Sequence, residues 1–175
     1  VNAEGFLKYS DIFEGNTFEG KTLLPVLDGL SKKYALGKPV VVADAAMLSK
    51  KNIEELKGGG YTFIVGGRIK NESDEVKCAV LEKSGHLKDG VSFEVPRTDG
   101  TRLIVTYSEK RARKDAHNRE KGIKKLRTKV MSGKLTKEHI VNRGYNRFLT
   151  LAGAVNVSID EDRISDDSRW DGLKG

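Results

Sequence analysis

The chain has 175 residues, 37% of them hydrophobic and 33% charged, enough for one sizeable core or for one core carrying a subdomain. No apolar run reaches the length of a membrane span, no secretory signal precedes the first strand-like segment, and the single Cys78 excludes an internal disulfide. The net charge of +7 is concentrated: between Glu109 and Lys129 ten Lys or Arg stand against three acids, an excess equal to that of the whole chain, which is the footprint of a polyanionic partner.

The opening Val1-Asn2-Ala3-Glu4-Gly5-Phe6 reads as one strand turning into another, and with no initiator methionine the chain reads as a piece of a longer protein. Phe6 to Phe13 is β-prone and predicts an antiparallel strand, broken by Glu14-Gly15-Asn16-Thr17. Leu23, Val26, Leu27, Leu30 and Tyr34 recur at helical spacing, with Thr22 as N-cap and Pro25 tolerated in the first turn. Val40-Val41-Val42-Ala43 then predicts a strand buried on both faces inside a parallel sheet. In open α/β sheets catalytic groups gather at the carboxyl ends of the strands, which is where Asp44 falls. The plainer reading of Asp44 is a polar residue that closes a strand and opens a turn.

Ser49 caps a helix from Lys50 to Lys57, with Ile53 and Leu56 inward and Gly58-Gly59-Gly60 as its stop. Tyr61-Thr62-Phe63-Ile64-Val65 predicts a strand beside the valines. Its exit carries Arg68 and Lys70, either a phosphate-facing strand end near Asp44 or a plain loop with solvated charges. Ser73-Asp74-Glu75 opens a helix that Gly85 closes. Val91–Val95 and Arg102–Tyr107 predict an antiparallel hairpin, so a parallel pattern gives way to a β-rich insertion.

From Ser108 the basic block reads as a long helix, with Ala112, Ala116, Ile123 and Val130 on one stripe. Glu109–Arg113, Asp115–Arg119 and Glu120–Lys124 are spaced to pair at i,i+4. Its cations either keep a solvated helix soluble or contact phosphates, and the unpaired excess leaves both readings open. Thr136 caps a short helix through Asn142, Arg147–Leu151 and Ala154–Ile159 predict two strands around Gly153, and Asp160-Glu161-Asp162 with Asp166-Asp167 reads as a solvated acidic loop. The closing Trp170-Asp171-Gly172-Leu173-Lys174-Gly175 reads as a turn with no core after it.

Taken in order, Ile12–Thr17, Gly20–Leu23, Val41–Ser49, Tyr61–Val65, Ile104–Ala112 and Trp170–Gly175 resemble a DDE transposase of the bacterial insertion-sequence type, in the group with a β-rich insertion inside a ribonuclease-H-like catalytic domain. The resemblance implies an α/β fold: a partial ribonuclease-H-like mixed sheet with helices over 1–70, a β-rich insertion carrying the long basic helix over 71–159, and a return segment over 160–175. Ala46 departs from the glycine usual in such enzymes, a change of turn geometry rather than chemistry.

By that resemblance, two Asp and one Glu hold two divalent cations, Mg²⁺ or Mn²⁺, that drive phosphodiester hydrolysis and then strand transfer. Asp44 corresponds to the second Asp, as catalytic residue and metal ligand. The first Asp then lies before Val1 and the Glu beyond Gly175, so the chain alone is expected to be catalytically silent. DNA is the implied partner, with Lys110, Arg111, Arg113 and Lys114 as the leading backbone contacts and Arg68, Lys70, Arg119 and Lys121 beside them. A homodimer in a synaptic complex and a bacterial cytoplasmic location are implied too, with no membrane. The competing readings are a non-catalytic nucleic-acid-binding remnant of a mobile element and a nuclease of the same fold.

Overall fold

The computed structural model describes residues 4, 9–17, 21–34, 37–45, 49–85, 87–153 and 156–175. The chain divides into two compact units, Val1–Arg68 and Ile69–Gly175.

In the first unit Thr22 precedes α1 (Leu23–Tyr34), and Pro25 falls in the first turn, where its missing N–H costs nothing. β1 (Val41–Ala43) and β2 (Phe63–Val65) pair in parallel, Val42 opposite Ile64, with α2 (Lys50–Gly58) as the crossover. The Ser49 hydroxyl caps α2 by accepting the Asn52 N–H at 3.0 Å. Leu27, Val41 and Leu56 form the core, joined by Leu23, Leu24, Tyr61 and Phe63.

Two expectations are corrected here. The valine strand is not buried on both faces: Val41 is buried, whereas Val42 is 73% exposed and Ile64 62%. The helical core contacts only one side of the two-stranded pair, and the pleat sends alternate residues to the other. Tyr9–Phe13 form no strand, because the Asp11 carboxylate accepts the Ile12 N–H at 2.8 Å and competes with ladder formation. Phe6–Lys8, and the turn at Ala46–Leu48, lie outside the described residues.

The second unit opens with a 3₁₀ turn at Ile69–Asn71 and then α3 (Asp74–Lys83), whose N-cap is Ser73. β3 (Ser92–Pro96) and β4 (Arg102–Tyr107) form the expected antiparallel hairpin, Val95 opposite Leu103. α4 (Glu109–Met131) follows, then the hairpin of β5 (Leu149–Ala152) and β6 (Asn156–Ile159). The acidic run is not a loop. It forms α5 (Glu161–Ser168), capped by the Asp160 carboxylate on the Arg163 N–H.

The last segment returns to β4 as β7 (Leu173–Lys174), Leu173 opposite Tyr107. Gly172 makes that return possible: its φ is +80°, and a Cβ there would lie 2.7–2.9 Å from Tyr107, the Ser108 carbonyl and Ala112. The segment also joins a core, burying Leu173 in one cluster with Val80, Val95 and Val105, with Trp170 packed alongside. A second cluster gathers Ile123, Leu126, Phe148 and Leu149 between α4 and the β5–β6 hairpin.

Candidate functional site

Asp44 is the residue at which β1 ends, and its side chain is exposed. The parallel partner strand finishes beside it. The Gly66 N–H donates to the Ala43 carbonyl at 3.1 Å, and the Arg68 guanidinium donates to the Ala45 carbonyl at 3.0 Å. Gly66 has to be glycine: a Cβ would sit 2.8 Å from the Ala45 backbone nitrogen, so β2 could not close on the Asp44 turn. An exposed carboxylate and an exposed, hydrogen-bonded guanidinium thus stand at one end of the strand pair. Such an arrangement can offer a hard oxygen donor to a divalent cation and a positive charge to a phosphodiester.

Lys70 belongs to the second unit, where its ammonium lies 2.7 Å from Asp167. The same carboxylate accepts from Arg147 at 3.0 Å. Burial works against ionisation of Asp167, but Lys70 and Arg147 outweigh it and hold the carboxyl below its ordinary value. Arg119 is not a free cation. Only 13% of its side chain is exposed, and it donates to both Asp171 oxygens at 2.5 Å with Asp167 at 3.9 Å. The hydrogen-bonded Asp171 carboxylate raises the Arg119 pKa above its already high value.

The pairing expected between Asp115 and Arg119 is therefore corrected. Asp115 lies 3.5 Å from Arg111 and also accepts the Gly172 N–H at 3.3 Å. Arg127 pairs with Glu161 on α5 at 2.7 Å. Lys110, Arg113, Lys114 and Lys121 are exposed, with no ion pair among the described residues. Sequence reasoning missed Asp167 and Asp171 as partners of the basic block. Their separation from Arg119 in the chain leaves no local signal.

The other side of α4 is occupied. The Tyr145 hydroxyl donates to the Asn118 carbonyl at 2.7 Å, and its ring lies against Gly122, where a Cβ would stand 2.1 Å away. Among the described residues no group of three or more His, Cys, Asp or Glu could hold a metal ion. No described helix is long and apolar enough to cross a membrane.

The first unit thus ends a parallel strand pair on an exposed carboxylate, and the second carries an antiparallel hairpin and a strongly basic helix. The transposase DDE domain family matches residues 1–150, and the chain belongs to that family. The family implies a DNA substrate and divalent-metal chemistry. Neither a curated protein nor a solved structure gives a significant match to the chain.

Proposed function

We propose that the chain is part of the catalytic domain of a DNA transposase that cleaves and joins phosphodiesters at insertion-sequence ends, with Asp44 as a metal-binding carboxylate. The observation that carries the reading is the exposed Asp44 side chain at the carboxyl end of a strand paired in parallel. On this reading residues 1–70 contribute a segment of a ribonuclease-H-like core, and 71–159 are an insertion whose basic helix holds DNA. The break between units after Arg68 supports that division.

The donor chemistry fits the metal in part. Asp44 supplies the hard anionic oxygen that Mg²⁺ or Mn²⁺ prefers, and two such ions would activate the attacking oxygen and steady the leaving one. One carboxylate does not hold two cations, and Asp44 has no metal-binding cluster around it among the described residues. The reading therefore assigns the remaining ligands to other parts of the intact enzyme and makes this chain inactive alone. Arg68, held through the Ala45 carbonyl, orients the scissile phosphate. In the intact bacterial enzyme two copies would bring two transposon ends together in a synaptic complex.

The alternative is a non-catalytic nucleic-acid-binding remnant of a mobile element, favoured by the lack of a metal-binding cluster among the described residues. Asp44→Asn in the full-length protein separates the two. Cleavage of end-bearing DNA falls by at least about a thousandfold while end binding stays within a few-fold, on the transposase reading. Unchanged cleavage removes Asp44 from the site, and a full-length protein that never cleaves leaves the remnant.

A further inference from the structure

The fold sorts the cations of α4 into two sets, and the sorting follows helical phase. At about 100° per residue, Lys110, Arg113, Lys114, Lys121, Lys124 and Lys125 fall within an arc of about 120° that runs about 22 Å along the axis. All six are exposed, and none forms an ion pair among the described residues. The acids of the helix lie outside the arc, Asp115 turned toward Gly172 and Glu120 at the margin. Elsewhere on the helix Tyr145 bonds the Asn118 carbonyl and lies against Gly122, Ile123 and Leu126 enter the core, Arg119 meets Asp171, and Arg127 meets α5, while Glu109, Arg111, Glu120 and Lys129 are exposed outside the arc.

Such a stripe opposes folding. Lys110–Lys114 and Lys121–Lys125 are like charges at i,i+4, which repel one another on a helix surface. Arg111, Arg119 and Arg127 are in contact with acids, whereas the expected Glu109–Arg113 and Glu120–Lys124 pairs do not form and the stripe makes no ion pair among the described residues.

We propose that this six-cation ridge grips the phosphate backbone of duplex nucleic acid without reading its bases, and that Arg119 and Arg127 are structural pins outside the contact. The proposal rests on the transposase reading for its partner class and adds Lys124 and Lys125 to the contact. Three features favour this mode. Five of the six cations are lysines, compact point charges on flexible stems that meet phosphates without the planar fork geometry arginine brings to bidentate recognition. α4 carries no Phe, Tyr or Trp, so it offers no stacking platform for single strands. The ridge lies on one continuous helix, a row of charges suited to a line of phosphates rather than to a pocket.

The test is fluorescence anisotropy of the 175-residue chain with two unrelated 20-base-pair DNA duplexes and a single strand, across a KCl titration. Both duplexes should bind equally and more tightly than the single strand, with a log–log salt slope of about −5 for six contacts. Lys121→Gln/Lys124→Gln/Lys125→Gln should reduce the slope to about −3 and weaken binding at least tenfold at low salt. That variant should melt no lower than the parent, since it removes repulsion. Arg127→Gln should leave the slope unchanged.

If Lys110→Gln/Arg113→Gln/Lys114→Gln weakens binding but the 121/124/125 variant does not, the ridge is wrong while DNA binding stands. A strong preference for one duplex, or for the single strand, also overturns the proposal. If the parent chain binds no DNA, the ridge and the DNA-binding part of the reading fall together, whereas the Asp44 cleavage test is unaffected.

Discussion

The Arg119 guanidinium grips both carboxylate oxygens of Asp171 at 2.5 Å, across 52 positions of sequence, and so ties the middle of α4 to the turn that begins β7. Both side chains are largely buried, at 13% and 17% exposure. The same stretch is held by the Ser108 N–H on the Gly172 carbonyl at 3.0 Å and by the Gly172 N–H on Asp115. The basic helix is therefore anchored through its few buried charges, which leaves its many exposed ones available.

Removing Arg119 strands the Asp171 carboxylate, and removing Asp171 leaves Arg119 only the more distant Asp167, at 3.9 Å, and the field of Asp115. Asp171→Asn or Arg119→Gln should each lower the stability of the second unit by about 3 kcal/mol in urea unfolding. The double replacement Arg119→Met/Asp171→Leu should lose less than either single change, because no orphaned charge remains. Additive losses would show that the two residues do not act as a pair.

Asp167 makes stability depend on acid. Its carboxyl titrates below the ordinary 3.8 in the folded chain, because Lys70 and Arg147 favour the charged form more than burial opposes it. The unfolded chain thus binds this proton more readily. The contribution is complete above the ordinary value and is lost as pH falls through the lowered one. Thermal melting followed from pH 6 to pH 2 should show this loss in the parent and a flatter profile in Asp167→Asn, with the variant already less stable at pH 6.

Gly66 should matter to chemistry more than to binding. Gly66→Val places carbon against the Ala45 backbone nitrogen, and the end of β2 must move away from the Asp44 turn. In the full-length enzyme, cleavage should fall at least tenfold while DNA affinity, assigned to α4 by the proposed ridge, changes less than twofold. A parallel loss of both, measured by cleavage assay and anisotropy, would show that the variant disturbs the whole chain instead.

Much of the fold was legible because it is locally encoded. Ser49 and Ser73 cap helices that start where hydroxyl side chains can take free N–H groups, and alternation in Arg102–Tyr107 places Leu103 and Val105 inward. The Val41–Val65 strand pair and its parallel sense followed from two β-rich runs around one helix. The acidic run misled because a carboxylate-rich segment has the composition of a solvated loop. Asp160, however, caps a helix whose first turn carries Glu161 and Asp162, a favourable end of its dipole.

What the sequence determined by itself was the placement of Asp44 at a strand end, the basic excess on one helix, and the family to which those stretches belong. Hydrophobic period, capping residues and charge count are properties of neighbours in the chain, so they survive without a fold. Only tertiary structure decided which cations are spent. Arg119 and Lys70 carry the same charge as Lys121 and Lys110, but Asp171 and Asp167 reach the first two across 52 and 97 positions. Coulombic pairing depends on distance in space and on burial, and neither quantity is written in the order of residues.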